Sequence, residues 1–244
     1  MGLKLMCVVA HPDDECFGFG GALALAAERG IETHVICLTD GQAATNRGDA
    51  ASGEELGRMR REEFAASCRV LGISSHELMD FHDGRLEFTD FSKTAGLLVE
   101  RMRRFKPNVV LTFGTDGGLN THPDHMVVSM LTTAAFHWSG QTQRYPELGA
   151  VHRPDRLFYL STNFFLTGRP RTPMPMPWTV TLDVRSVRER KEEAFRQHVS
   201  QAPLMKQTKD VFDRFGAEEF YSLVATSEPQ AARLSTDMFE GLKA

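Results

Sequence analysis

The 244-residue chain is poor in the features that mark secreted, membrane-spanning or nucleic-acid-binding proteins. Its four cysteines are Cys7, Cys16, Cys37 and Cys68, and none of them forms a C-x-x-C pair. That sets aside a structural zinc ribbon and a redox dithiol, and the thiols are expected to be reduced core residues of a cytoplasmic protein. No apolar run approaches the roughly 18 residues of a membrane span. The one early apolar run, Leu5–Ala10, ends in His-Pro-Asp-Asp-Glu, too short and too acidic for a secretory leader. Lys and Arg number 28 against 32 Asp and Glu, a net charge of −4. A dedicated nucleic-acid binder would show a basic surplus, so no nucleic-acid partner is expected. No internal repeat is visible.

What is present describes a folded globular protein: 41% hydrophobic and 25% charged residues. A chain of this length buries about 70–75% of its unfolded surface. It is expected to form one domain over residues 1–244, and nothing argues against a homo-oligomer.

Leu3–Ala10 and Thr33–Leu38 are apolar runs flanking a segment of helical composition that stops near Arg29-Gly30. Pro12 suits a first helical position and Gly30 a C-terminal stop. This is a strand–helix–strand unit, which favours parallel pairing. Residues 42–54 are polar and predict a loop. Helices are expected over Leu56–Leu71, Phe91–Phe105, Met126–Phe136 and Arg185–Gln201, with one more inside Lys206–Phe220. Further strands are expected at His76–Phe81, Pro107–Phe113, Leu157–Ser161 and, on a sheet edge, Val180–Val184. Pro170, Pro173, Pro175 and Pro177 predict a stiff extended segment. Alternating strands and helices give an α/β fold, a three-layer sandwich with a mostly parallel central sheet.

Two segments share the form His-Pro-Asp, and each follows a strongly apolar strand. These are His11-Pro12-Asp13-Asp14-Glu15 and His122-Pro123-Asp124-His125. The bland reading of the first is a good helix start, since acids in a first turn complement the helix dipole. A pair of histidines three apart is more often structural than metal-binding. The coincidence of both, at strand ends where open α/β sheets bind ligands, shifts the weight.

Imidazole and carboxylate are the usual ligands of a catalytic zinc, whose site keeps one position open. His11 and Asp14 can point at one ion, and a second histidine from the neighbouring strand end would complete the set. Asp13 and His122 would then be left near the ion and not on it. A carboxylate that takes a proton from water and an imidazole that steadies an oxyanion or protonates an amine are what amide hydrolysis needs. Asp124 is placed to orient His122.

AHPDDE at Ala10–Glu15 and HPDH at His122–His125 resemble the two motifs of the LmbE-like, PIG-L family of metal-dependent N-acetylglucosaminyl deacetylases. Thr39-Asp40-Gly41, Arg60-x-x-Glu63 with Leu71-Gly72, His198-x-Ser200-Gln201 and Glu219-Phe220 resemble further parts of it. The resemblance implies a Rossmann-like fold, His11, Asp14 and His125 as ligands of Zn2+ (Fe2+ suits the same set), Asp13 as general base, and His122 as electrophilic or acid partner oriented by Asp124. It implies an N-acetyl sugar conjugate, or a related small amide, as the small-molecule substrate. Some members carry a tyrosine two residues before the second motif, where this chain has Asn120. That role is either absent here, taken by the Asn120 amide, or filled from elsewhere.

Arg47, in the polar loop, can reach a substrate hydroxyl or carboxylate, or stay solvated. Gly18-Phe19-Gly20-Gly21 is not a dinucleotide fingerprint and suits close helix packing. The charged run Arg58–Glu63 is expected to be a solvated helix face. Two other classes compete. Two histidines and a carboxylate also describe a non-haem iron enzyme, but that reading expects a β-barrel host and leaves Asp13 idle. A non-catalytic carbohydrate-binding module would be expected to carry a damaged motif.

Overall fold

A computed structural model describes residues 2–162 and 176–243. Pro170, Pro173, Met174 and Pro175 lie outside the described residues. Pro177 lies within them, and its carbonyl accepts from Ser222 Oγ at 2.7 Å.

Fourteen strands and helices of the described residues build the fold. In chain order they are β1 (Lys4–Val9), α1 (Asp14–Phe17), α2 (Gly20–Glu28), β2 (Glu32–Thr39), α3 (Gly53–Leu71), β3 (Ser75–Phe81), α4 (Phe91–Phe105), β4 (Val109–Phe113), α5 (Pro123–Ser139), β5 (Arg156–Ser161), β6 (Val180–Asp183), α6 (Arg188–Arg196), α7 (Ala202–Phe215) and β7 (Glu218–Thr226). They form one seven-stranded sheet in the order β3-β2-β1-β4-β5-β7-β6. The first five are parallel, and β7 runs antiparallel to both β5 and β6. Helices α4 and α5 pack together, and α6 packs on both α2 and α3. The expected α/β architecture with a mostly parallel sheet is the one observed.

The apolar runs explain the centre. Leu5 to Val9 of β1 and all of β4 are fully buried, as a parallel strand covered on both faces must be. Each such side chain contributes about 1.5–3 kcal/mol through burial. Consecutive strands run outward from β1 to β3, and the chain then crosses back to lay β4 on β1's other side. That reversal is a switch point, and the carboxyl ends of β1 and β4 flank it.

Several expectations shift in detail. Helix α3 starts at Gly53, three residues before Leu56, because Ser52 caps it by accepting Glu55 N–H at 3.1 Å. The stretch Arg185–Gln201 is not one helix: α6 stops at Arg196 and a tight turn follows. Strand β7 was not expected at all. Pro12 is not at a first helical position, since Asp13 precedes α1 in a left-handed conformation.

The carboxyl-terminal tail returns to the sheet. Ser235 bridges β6, donating its N–H to Thr179 O at 2.9 Å and accepting from Thr181 N at 3.1 Å. No helix among the described residues is long and apolar enough to cross a membrane. All four cysteines are buried and free.

Candidate active site

The two His-Pro-Asp segments meet at the switch point. The turn after β1 and the start of α1 deliver His11 and Asp14, and the loop after β4 and the first turn of α5 deliver His122 and His125. Asp14 first organises its own loop: Oδ2 accepts the N–H groups of His11 at 2.8 Å and Ala10 at 3.2 Å. The same carboxylate faces both imidazoles. Oδ2 lies 3.5 Å from His11 Nδ1, and Oδ1 lies 3.2 Å from His125 Nε2. All three residues are buried.

Partner chemistry assigns the tautomers. His125 Nδ1 sits 3.0 Å from Gly117 O, which can only accept, so Nδ1 carries the proton. The His125 ring is stacked on Phe113 at 4.0 Å. His11 Nε2 lies between Asp83 Oδ1 at 3.0 Å and Asp124 Oδ2 at 3.2 Å, so it too must donate. What His11 and His125 then present to Asp14 is a lone pair each, acceptor against acceptor. A cation, metal or proton, resolves that clash. Ligands held about 2.0–2.2 Å from a tetrahedral ion stand roughly 3.3–3.6 Å apart, and the observed 3.2 and 3.5 Å separations are close to this. The donor set therefore fits a divalent metal. The ligand atoms of His11, Asp14 and His125 lie within 4.8 Å of one another, as do those of His11, His122 and Asp124. The first set is favoured, because Asp124 Oδ2 already accepts from Gly84 N at 2.7 Å and its Oδ1 from Leu86 N at 3.2 Å.

Asp124 thus corrects one expectation. Its carboxylate serves His11 and the loop after β3, not His122. Its backbone N–H donates to His122 Nδ1 at 3.2 Å, which caps α5 and leaves the His122 proton on Nε2. The His122 ring stands 4.7 Å from that of His11 and 5.5 Å from that of His125. Burial holds His122 below the usual imidazole range.

Asp13 is beside the cluster and off it. Its Oδ2 is 2.9 Å from Arg60 Nη2. Burial pushes its carboxyl up to about 6, against the pull of Arg60 and with the charge of Asp14 adding to the rise.

Asn120 meets the cluster through its side-chain oxygen, and Arg47 makes no hydrogen bond to it among the described residues. Asn120 Oδ1 accepts His122 N–H at 3.0 Å and is committed to the turn. Arg47 is exposed, and its guanidinium makes no hydrogen bond or ion pair within the described residues.

Three residues beside the cluster have no site role in the sequence reading, although Arg60 and Glu63 belong to a segment that resembles the family. Asp83 follows β3 and is 7% exposed. Arg60 and Glu63, read as a solvated face, are 2% and 9% exposed. A signal existed, because they fall on the buried stripe Leu56, Arg60, Glu63, Phe64, Ser67, Leu71 of α3.

A reversed strand order, with imidazoles, a shared carboxylate and a neighbouring acid at the switch point, defines an α/β enzyme with a candidate metal centre. Residues 6–136, more than half of the chain, match the family described as PIG-L, GlcNAc-PI de-N-acetylase, and the chain belongs to it. It is 30% identical over 228 residues to the mycothiol S-conjugate amidase of Streptomyces coelicolor, covering 81% of this chain and 76% of that one. It is 28% identical to the 1D-myo-inositol 2-acetamido-2-deoxy-alpha-D-glucopyranoside deacetylase of Rhodococcus jostii, covering 98% of each. The fold resembles that of the N,N'-diacetylchitobiose deacetylase of Pyrococcus horikoshii, with a TM-score of 0.70 and 22% identity over 91% of this chain and 83% of that one. The protein is accordingly an amide hydrolase of the de-N-acetylase class.

Proposed function

We propose that the protein removes the N-acetyl group from an N-acetylglucosamine-type conjugate, or cleaves a closely related small amide, with zinc or ferrous iron held by His11, Asp14 and His125. The observation that carries this reading is the Asp14 carboxylate, turned with one oxygen towards each of two imidazole lone pairs. The names of the relatives, an amidase and a deacetylase of acetamido-sugar compounds, support the substrate class.

When bound, the ion supplies Lewis-acid polarisation of the scissile carbonyl. Asp13 accepts a proton from the attacking water as its oxygen bonds to the carbonyl carbon. His122, with its proton on Nε2, donates a hydrogen bond to the oxygen that gains charge. The carbon–nitrogen bond then breaks, the proton held by Asp13 passes to the departing nitrogen, and acetate and a free amine remain. Asp83 and Asp124 hold His11 Nε2–H, which turns Nδ1 towards Asp14.

The test is to strip the protein with a chelator, reconstitute it with zinc or ferrous iron, and measure fluorescamine-reactive amine from a panel of N-acetylglucosamine conjugates. Amine should appear only in the reconstituted samples. A fully metallated protein that releases amine from none of them would overturn the reading.

A further inference from the structure

Asp13 has φ 109° and ψ −26°, in a region L-residues rarely adopt. Such a conformation persists only where the surroundings over-determine it. Here the peptide group between Pro12 and Asp13 is held at both ends. Its carbonyl oxygen accepts from Arg60 Nη2, and its N–H donates to Glu15 Oε2 at 2.9 Å.

Glu15 is fully buried. Its Oε1 accepts from Ser67 Oγ at 2.5 Å and lies 2.8 Å from Nε2 of His198. A carboxylate only accepts, so that nitrogen is the donor. His198 is 1% exposed, and its Nδ1 has no hydrogen-bond partner among the described residues. A buried ring that leaves one nitrogen unsatisfied is a poor choice for packing alone, so the bond to Glu15 is what distinguishes His198 from an apolar residue. The turn that carries it is anchored separately. Ser200 donates both its N–H and its Oγ–H to Glu63, each at 2.7 Å. Two buried carboxylates, on α1 and α3, therefore seat residues 198–200, which lie outside the segment matched by the family.

We propose that His198 is a positioning residue for the base: through Glu15 it fixes the Pro12–Asp13 peptide and so aims the Asp13 carboxylate. The inference rests on Asp13 being the base in the reading above. Its action is on geometry, because its side-chain hydrogen bond among the described residues is to Glu15.

The test compares the wild type with His198→Ala, His198→Asn and His198→Gln, each loaded with zinc. Gln carries its amide nitrogen about as far along the side chain as histidine carries Nε2, whereas Asn falls short. Amine release from p-nitrophenyl N-acetyl-β-glucosaminide, zinc content and the hydrogen exchange of the Asp13 amide are measured. A misplacement near 1 Å costs about 10²-fold. The expected result is a kcat loss of that order in the Ala and Asn variants, with KM within about threefold, zinc still stoichiometric, and most of kcat recovered in the Gln variant. The Asp13 amide should exchange faster in the Ala and Asn variants and at the wild-type rate in the Gln variant. Equal loss in Asn and Gln, wild-type kcat in Ala or Asn, or a loss explained by missing zinc would overturn the proposal. Should Ala fail to fold, the Asn–Gln pair decides alone. A wild type that releases no amine defeats the deacetylase reading instead, and the exchange rates still decide whether His198 holds Asp13: unchanged exchange in all variants overturns it.

Discussion

Asp14 and Glu15 are consecutive in α1, fully charged in form and both buried, yet they face opposite kinds of neighbour. Asp14 looks towards histidines whose other nitrogens are already committed as donors to Gly117, Asp83 and Asp124. Glu15 looks towards Ser67, His198 and the Asp13 N–H, all of them donors. Glu63 and Glu219 repeat the second pattern. Glu219 accepts from Gly21 N at 2.7 Å, Ala22 N at 2.8 Å, Lys191 Nζ at 2.6 Å and Tyr221 OH at 2.7 Å. A buried carboxylate surrounded by donors is complete and holds the chain together. One set against acceptors needs a cation and is suited to chemistry.

The contrast can be broken from either side. The largest effect is expected from Asp14→Ala, with His11→Ala and His125→Ala behind it: zinc should no longer bind stoichiometrically, and turnover should vanish with it. Elemental analysis after gel filtration checks this, and three variants that keep one zinc each would dissolve the ligand assignment. Next comes Asp13→Asn, which should lower kcat by about 10²–10⁴-fold with zinc retained. Loss of zinc in that variant would move Asp13 into the ligand set. Asp83→Asn and Asp124→Asn should each weaken zinc affinity by about 10–100-fold, since both acids hold the His11 ring. Chelator competition measures it, and unchanged affinity in both would show that the ring needs neither. On the donor-facing side, Glu219→Gln leaves the Lys191 ammonium buried and poorly paired. It should cost about 3–5 kcal/mol in denaturant unfolding while leaving kcat per folded molecule near the wild-type value. A Glu219→Gln protein of normal stability and crippled turnover would erase the distinction.

The sequence discloses these two sides unequally. The parallel strands β1, β2, β4 and β5 were legible because each holds a short apolar run bounded by polar or glycine-containing turns, and the cluster was legible because strand ends and repeated His-Pro-Asp segments coincide. Asp83 was missed because a lone acid before a glycine looks like any turn. Arg60 and Glu63, quoted for their resemblance to the family, read as solvated because charge outweighed position, although both lie on α3's buried stripe. Strand β7 begins Glu-Glu-Phe-Tyr, two acids that mask its start, and Glu219 lies opposite Gly21. A Cβ on Gly21 would fall 2.7 Å from Glu219 Oε1, so glycine is required there. His198 finds its partner 183 residues away, a distance at which no local pattern survives. Adjacency in sequence assigns Asp124 to His122, whereas the fold brings His11 to its carboxylate.

The bridge from Ser235 to β6 has a further consequence. An open sheet leaves unpaired amides and carbonyls along its flank, which invite another molecule to add a ribbon of its own. Ser235 occupies that flank at Thr179 and Thr181, while the opposite flank, at β3, is guarded by the exposed charge of Asp80 and by a largely polar strand. A protein trimmed ahead of the tail would keep its chemistry and lose its good manners in concentrated solution, clumping through the bared margin of β6.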